Sequence, residues 1–389
     1  MYNDDKDNKM CVDVKIYVLS DYYVMSSYGI RCIYEFVYIL NSKLGLDAYV
    51  VYCRDQFSSL EPIPEKYRMF AVSFDEVCVK DSDIVIYPDS VLGRAVHNPL
   101  NAKKVVRWLL NRSYVLTGDL TNYSDTDLIV SYSNYVNKDL PQLFFLIDER
   151  ELFERIRKSC KHDKDTVSVY FGKVAPNLIK QKYETVKRIL SAYKHINIIT
   201  RNNVSRTEAL ELISNSDLLI SYDALSNIHY ESMLIGTPVI LLDKSYIVDD
   251  VDFNVSDEGY CTDIEEVDRV RKKIDKVYDD YCNYLNRQKQ NLESAITFIF
   301  SELNNISENP KANREKNEQL KKEDQKLLEC TYKIKNICSV YDIPFKTATM
   351  LGIDCRKYVK KKIRKTLKKI IVTIGLYPVY KRIMREKRK

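Results

Sequence analysis

Short apolar runs and amphipathic stretches alternate along most of this chain. Apolar runs of roughly four to eight residues indicate strands buried in a parallel sheet, and apolar residues recurring every three or four positions indicate helices packed against it. The alternation occurs twice, before and after a charged stretch at 148–165 that is expected to be helical. It predicts an α/β protein with two doubly wound parallel sheets, each with its ligand site at the carboxyl ends of the strands.

Strands of the first series are predicted at 12–19, 48–52, 69–74, 83–87, near 114, at 128–131 and at 143–147. The first helix is predicted from Ile30 to about Lys43, because its apolar residues share one face. A second helix is predicted to begin at Asn98-Pro99, since Asn caps helices and Pro suits their first turn, and to end at Asn111.

The second series predicts strands at 167–171, 196–200, 218–221 and 238–242, with helices at 179–193 and 228–235. Ser205 is predicted to cap a further helix that ends at Ser214, because Glu208 lies three residues on and completes a capping box. The 389 residues exceed one typical core, so we expect two domains and an extension. The predicted parts are a first Rossmann-like domain at 1–160, a second Rossmann-like domain at 161–263, a long helical region closing the core at 264–303, a polar or helical linker at 304–355 and a basic helix at 356–389.

The net charge of +6 is unevenly distributed. Residues 356–389 contain 15 Lys and Arg and one acid, a net charge of +14, which leaves −8 for residues 1–355. An acidic body argues against nucleic-acid binding. The basic segment is predicted to form an amphipathic helix that binds an anionic membrane surface, the alternative being a helix packed on the protein body. Its apolar stripe consists of Val359, Ile363, Leu367, Ile370, Ile371 and Ile374.

The N-terminus and the cysteines indicate where the protein works. Residues 1–10 are polar and acidic, so no signal peptide is expected, and no apolar run approaches the ~20 residues that span a bilayer. The ten cysteines include no CxxC pair, which favours free thiols in a reducing compartment over zinc sites or disulfides. We expect a cytoplasmic protein that is peripheral on the inner face of the cell membrane.

Two acidic residues eight positions apart, Asp223 and Glu231, precede a Gly-Thr-Pro turn that begins at Gly236. Asp223 follows a predicted strand and Glu231 lies in the predicted helix after it, which Ser226 or Asn227 can cap. Carboxylates accept paired hydrogen bonds from sugar hydroxyls, so this arrangement is typical of a site for a polyhydroxylated ligand. The alternative is an Asp that caps a helix and a solvated Glu.

This stretch resembles the E-x7-E signature of glycosyltransferases with the two-domain GT-B fold, related to glycosyltransferase family 4. Residues 98–111 are similar to a segment of the bacterial capsule and O-antigen enzymes of that type. The resemblance implies two Rossmann-like domains that face a cleft. The first would bind the acceptor, and the second would bind a nucleotide-sugar donor. It implies that Glu231 holds the ribose hydroxyls. Asp223 stands where the family has a Glu that contacts the donor sugar, and it is one methylene shorter.

The resemblance also implies roles for other residues. Gly172 and Lys173 stand where the family has a Gly-Arg pair that contacts the diphosphate, and Arg201 is a second candidate cation. A cation there would stabilise the leaving nucleotide. Gly29 lies where the family has a glycine-rich loop facing the donor phosphates. His97 is expected at the cleft rim, near the donor sugar or the acceptor. The alternatives are ordinary loop cations, a simple turn and an incidental histidine.

Two Asp-x-Asp triplets, Asp81-Ser-Asp83 and Asp125-Thr-Asp127, precede predicted strands. Such triplets bind a metal in the other large glycosyltransferase architecture. Both triplets are expected at the sheet edge opposite the site. We therefore interpret them as turns and predict no metal.

Together these features predict a retaining, metal-independent glycosyltransferase of the hexosyltransferase type, without a cofactor. It would transfer a sugar from a nucleotide-sugar donor to a lipid-linked glycan acceptor in bacterial surface polysaccharide synthesis. Lys173 and Arg201 would assist departure of the nucleotide, with no protein nucleophile. Two alternatives stay open: a nucleotide-sugar 2-epimerase, and a non-catalytic protein that uses the same fold as a scaffold in glycan assembly.

Overall fold

The computed structural model describes residues 14–53, 62–89, 98–111, 124–172, 176–200, 203–223, 226–242 and 258–322. The predictions for His97, Lys173 and Arg201 lie outside these residues, as do those for the basic helix at 356–389 and the strand near 114.

The described residues form two compact units. Unit 1 contains the described residues up to Arg155 and from Lys276 onwards, and unit 2 contains those from Ile156 to 242 and from Glu258 to Asp275. The strands are β1 (Lys15–Asp21), β2 (Asp47–Cys53), β3 (Ala71–Ser73), β4 (Ile84–Pro88), β5 (Lys104–Leu109), β6 (Leu128–Ser131), β7 (Asp163–Tyr170), β8 (His195–Ile199), β9 (Ser216–Ser221), β10 (Val239–Leu241) and β11 (Tyr260–Cys261). The α-helices are α1 (Tyr28–Ser42), α2 (Glu65–Arg68), α3 (Asn134–Asn137), α4 (Arg150–Ser159), α5 (Pro176–Leu190), α6 (Arg206–Ser214), α7 (Asn227–Leu234), α8 (Val267–Arg271) and α9 (Ile274–Glu308), and residues 310–322 are also helical.

Unit 1 is built on a six-stranded parallel sheet in the order β3-β2-β1-β4-β5-β6. This is the strand order of the Rossmann fold. Helices α1 and α9 bury their apolar faces on one side of the sheet, where Trp108 packs against Phe36 and Phe145 and is completely buried. The single tryptophan of the chain therefore belongs to the core of unit 1.

The prediction of a helix from Asn98 to Asn111 is wrong, because this segment forms a turn followed by β5. The Asn98 side chain accepts a hydrogen bond from the N–H of Ala102 (3.0 Å) and so closes a turn, in which Asn101 has φ of +52°. Val105 to Leu109 are all buried, so the side chains on both faces of this strand are covered. A fully buried parallel strand is a continuous apolar run, which periodicity alone does not distinguish from a buried helix.

The strand predicted at 143–147 is also wrong, although the segment is extensively buried. The N–H of Leu143 bonds to the C=O of Ser131 at the end of β6, and most of the other backbone groups of the segment bond to side chains, chiefly those of α9. Gln288 pairs with both the N–H and the C=O of Leu146 (2.7 and 2.9 Å). The hydroxyls of Tyr281 and Tyr284 donate to two further carbonyls of the segment. Polar residues of α9 thus perform the role that a strand ladder usually has, since buried backbone groups need partners.

Residues 310–322 belong to unit 1 and carry polar side chains that bond to another segment of that unit. Asn313 and Asn317 donate to carbonyls of residues 124–127, and Asn317 is almost fully buried. The described part of the predicted linker is therefore helical and hydrogen-bonded to unit 1.

Unit 2 is built on a five-stranded parallel sheet in the order β11-β10-β9-β7-β8. Counted within this unit, the order is 2-1-3-4-5, the second common doubly wound topology. Helices α5 and α8 pack on one face of the sheet. The other face carries α6 and α7, since Ser168 bonds to α6 and Ser221 to α7. The predicted α/β class with two parallel sheets is confirmed, and the cleft between the two domains stays a prediction.

In unit 2 the chain reverses its direction of winding between β7 and β9. Helix α5 leads from β7 to β8 on one side, and α7 leads from β9 to β10 on the other. The loops that leave the carboxyl ends of β7 and β9 therefore diverge, and in doubly wound sheets ligands bind at such a switch point. Within the described part of the chain, no helix is both long and apolar enough to cross a membrane.

Candidate functional site

The carboxyl ends of β7 and β9 bring two of the predicted site residues into contact. Tyr170 and Ser221 end these strands as register partners, and Gly172 and Asp223 each lie two residues further on. A Cβ atom on Gly172 would lie 2.2 Å from Oδ2 of Asp223, and Gly172 has φ of +51°. Both the contact and the left-handed backbone require glycine at this position. The structure thus brings Gly172 and Asp223 into direct contact, which the sequence analysis did not predict.

The turn at Asp223 is held by a buried pair formed by Ser221 and His229. Oγ of Ser221 lies 2.7 Å from Nε2 of His229 and accepts a hydrogen bond from the backbone N–H of Asp223 (3.2 Å). All three residues are buried. Burial lowers the pKa of His229 to about 3, so its imidazole is neutral. His229 acts through Ser221 on the backbone that carries Asp223.

Glu231 of α7 forms an ion pair with Arg206, the first residue of α6. Nε and Nη2 of Arg206 lie 3.0 and 2.6 Å from Oε1 of Glu231. Only 11% of the Arg206 side chain and 5% of the Glu231 side chain are exposed. The pair joins the amino end of α6 to the middle of α7, on the same face of the sheet. Glu231 is thus a fixed, buried carboxylate, and the alternative of a solvated Glu is wrong.

Ser226 occupies the N-cap position of α7, and Asn227 is the first helical residue. The Ser226 side chain makes no capping hydrogen bond and instead donates to the hydroxyl of Tyr170 (3.4 Å). Tyr170 ends β7, so this contact ties the start of α7 to the strand that precedes Gly172. Ser226 and Asn227 therefore lie at the same edge of the sheet as Asp223.

Three residues at this edge escaped the sequence analysis, namely Arg206, Tyr170 and Ser221. Arg206 had one local signal, because it follows the N-cap residue Ser205 at a helix end that disfavours cations. Its partner Glu231 is 25 positions away along the chain, which no local pattern reveals. Tyr170 and Ser221 gave no signal beyond their places at the ends of predicted strands.

The carboxyl edge of the unit 1 sheet carries Gly29 and Asp89. Gly29 lies in the first turn of α1, where a Cβ atom would meet open space. Asp89 follows β4 and accepts hydrogen bonds from the N–H groups of Leu110 and Asn111 (2.9 and 3.3 Å). Desolvation raises the pKa of Asp89 to about 7. The sequence analysis did not single out Asp89, which joins the ends of β4 and β5.

Both Asp-x-Asp triplets form turns, as predicted. Asp83 accepts a hydrogen bond from the N–H of Lys80 (2.8 Å), and Asp127 accepts one from the N–H of Ser124 (2.9 Å). Asp127 also forms a buried ion pair with Arg107 of β5 (2.8 Å). Among the residues that the structure describes, no three His, Cys, Asp or Glu side chains are grouped to hold a metal ion.

No protein-family model matches the chain, and no curated protein matches its sequence. Solved structures resemble it at low identity. Anabaena HepE in complex with UDP-glucose is 13% identical over 75% of this chain and 99% of its own, with a TM-score of 0.44. The wall teichoic acid polymerase TagF is 14% identical over 74% of this chain and 90% of its own, with a TM-score of 0.39. An alpha-glucosyltransferase in complex with UDP and a 13-mer DNA is 16% identical over 75% of this chain and 99% of its own, with a TM-score of 0.39. Because identities and TM-scores are low, the function has to be argued from the residues of the site.

We predict that Gly172→Ala destabilises unit 2 by more than the strain of a left-handed alanine alone. That strain is about 1–2 kcal/mol, and overpacking against Asp223 should add about 1–3 kcal/mol. The matched control is Gly45→Ala, since Gly45 has φ of +65° and a Cβ atom there meets open space. Amide hydrogen exchange should measure the loss in the unit that holds each substitution. Equal losses for the two variants would show that Gly172 is not packed against Asp223.

We also predict that His229 makes the stability of unit 2 depend on pH. The folded state keeps the imidazole neutral down to a pKa of about 3, whereas the unfolded chain takes up a proton below about pH 6.5. The contribution of the neutral His229 to the free energy of unfolding is therefore complete above about pH 6.5. It is lost as the pH falls towards 3, by about 1.4 kcal/mol per pH unit. Urea unfolding between pH 7 and pH 4.5 should show a flatter dependence for His229→Gln. His195→Gln, which replaces an exposed histidine of the same unit, should keep the wild-type slope. A wild-type slope in His229→Gln would contradict the prediction.

Proposed function

We propose that this chain is a glycosyltransferase that uses a nucleotide-sugar donor. The observation that carries the proposal is the contact between Gly172 and Asp223 at the switch point of the unit 2 sheet, with the fixed carboxylate of Glu231 in the helix that follows. A doubly wound sheet binds ligands at this place, and two carboxylates suit a ligand with many hydroxyl groups.

The proposed donor contacts follow the order of the residues along the chain. Glu231 would accept hydrogen bonds from the ribose hydroxyls, and Asp223 would contact the donor sugar. Lys173 follows Gly172 directly and, with Arg201, would neutralise the diphosphate. Ser226 and Asn227 would line the donor site at the start of α7, and Gly29 and His97 are further candidates for contacts with the donor or the acceptor.

The proposed reaction transfers the sugar with retention of its anomeric configuration. The bond between the anomeric carbon and the diphosphate oxygen breaks, with Lys173 and Arg201 stabilising the charge that develops on that oxygen. The acceptor hydroxyl attacks the anomeric carbon from the same face, and its proton passes to the departing diphosphate. No protein nucleophile, metal or cofactor takes part in this proposal.

The proposed acceptor is a lipid-linked glycan at the inner face of the membrane. What supports it is the net charge of +14 in residues 356–389 and the apolar stripe between the basic residues. Such a segment favours an anionic lipid surface, where each cation adds about 1 kcal/mol. A peripheral enzyme there would meet a lipid-linked acceptor, which fits synthesis of a bacterial surface polysaccharide. The acidic body does not favour nucleic acid.

A donor panel tests the proposed function. The purified protein is mixed with uridine, guanosine, adenosine and cytidine diphosphates and their sugar conjugates, and binding is measured by calorimetry. At least one nucleotide should bind, and its sugar conjugate should be turned over once a glycan acceptor is added. Interconversion of the sugar without an acceptor would instead indicate an epimerase. Failure of the whole panel to bind would leave the scaffold alternative and reject the enzyme.

We predict that Glu231→Gln weakens binding of that nucleotide at least about tenfold, because an amide replaces a charged acceptor of the ribose hydroxyls. Glu211→Gln makes the same chemical change at an exposed position of α6 and serves as the control, with less than about a twofold effect expected. Thermal unfolding of both variants shows whether the loss of the Arg206 ion pair has unfolded unit 2. A folded Glu231→Gln variant with wild-type affinity would remove Glu231 from the donor site.

We further predict that deletion of residues 356–389 reduces binding to vesicles that contain phosphatidylglycerol. Neither the full chain nor the deletion variant should bind vesicles of pure phosphatidylcholine. A second variant replaces Ile363, Leu367 and Ile370 by Ser and keeps every charge. It should bind the anionic vesicles more weakly than the wild type, because the helix loses apolar surface. Vesicle flotation measures both effects, and full binding by the deletion variant would refute the membrane role of this segment.

A further inference from the structure

Arg206 stands at a position that local helix chemistry does not favour. It is the first residue of α6, where the backbone N–H groups make the helix end positive and a cation is disfavoured. The end of the helix is already satisfied without it, since Ser205 and Glu208 form a reciprocal capping box. Neither capping nor helix electrostatics therefore explains an arginine at this position.

The ion pair with Glu231 does explain it. Both Nε and Nη2 of Arg206 donate to the same oxygen of Glu231, at 3.0 and 2.6 Å, in a place where both side chains are mostly buried. A guanidinium presents its N–H groups in a rigid fork, so Nε and Nη2 of Arg206 together hold Oε1 of Glu231 in place. Without that ion pair a buried carboxylate would carry an uncompensated desolvation cost, so the pair favours this one position of the Glu231 side chain.

A fixed carboxylate matters for the ligand proposed at this site. A carboxylate offers about four acceptor positions, so it can serve more than one donor group at the same time. The ribose diol presents two such hydroxyls at a fixed spacing. Glutamate has three rotatable side-chain bonds, and holding it in one conformation beforehand removes an entropy cost from binding.

We infer that Arg206 is the positioning residue of the ribose subsite: it orients Glu231 so that the carboxylate meets both ribose hydroxyls, and the pair thereby selects ribonucleotides over deoxyribonucleotides. This inference rests on the proposed function, because it requires a nucleotide at Glu231. Arg206 itself acts through Glu231 and not on the reacting atoms.

Arg206→Lys tests the inference, because lysine keeps the charge and loses the fork. The probe is the nucleoside diphosphate that the wild type binds most tightly in the donor panel, compared with its 2′-deoxy and 3′-deoxy analogues. The wild type should prefer the ribonucleotide at least about tenfold, as expected for hydrogen bonds to a charged group. In Arg206→Lys the preference should fall to about twofold, while affinity for the deoxy analogues changes little. If the affinity of the variant for all these nucleotides falls by the same factor and the preference for the ribonucleotide survives, Arg206 has only a structural role and the inference is overturned.

Arg271→Lys is the matched control. Arg271 pairs with Asp217 at 2.7 Å near the amino end of β9, at the opposite edge of the same sheet from Asp223. The substitution makes the same chemical change in another ion pair of unit 2. It should leave the preference for ribonucleotides at the wild-type value. A lower preference in this variant would show that loss of any ion pair in unit 2 disturbs the site, which also overturns the inference.

A crystal structure of the wild-type protein with the same nucleoside diphosphate tests the inference even if Arg206→Lys does not fold. Glu231 should contact the ribose while Nε and Nη2 of Arg206 stay on Oε1. A structure in which Arg206 has left Glu231 to bind the nucleotide would overturn it. If the wild type binds no nucleotide at all, the proposed function fails, and this outcome is distinct from binding without ribose preference.

Discussion

The parallel pairing of β7 with β9 is the constraint on which the rest of the candidate site depends. Register partners at the ends of these strands, Tyr170 and Ser221, place Gly172 against Asp223 with no room for a Cβ atom between them. The chain winds in opposite directions from the two strands, so the loops diverge and leave an edge open to a ligand. The helix that carries Glu231 starts from this edge, held by the contact between Ser226 and Tyr170.

Burial sets the electrostatics of that edge. Glu231 is paired with Arg206 in a buried place, whereas burial lowers the pKa of His229 until its imidazole is neutral. The first group can then recognise hydroxyls, and the second can hold the backbone at Asp223 without adding a charge. Helix α7 thus carries Glu231, which is paired with Arg206, and the neutral His229, which supports the turn. The two side chains differ because their neighbours differ.

The sequence predicted some elements well and failed at others for physical reasons. The capping box of Ser205 and Glu208 is a local interaction between residues three apart, and the structure contains it as predicted. Val105 to Leu109 were assigned to a helix because a strand buried on both faces shows no period of two. The pattern at 143–147 predicts a strand, yet three residues of this segment bond through their backbone to side chains of α9, more than 130 positions away along the chain.

By itself the sequence determined the alternation of strands and helices and the two sheets, because these follow from local periodicity, and it made Gly172, Asp223 and Glu231 candidate site residues. Only the tertiary structure decided the strand order of unit 2 and hence the contact of Gly172 with Asp223. It also decided that Arg206 is the partner of Glu231 and that His229 supports the turn. These contacts join residues that are distant in sequence, and burial is what gives each of them its strength.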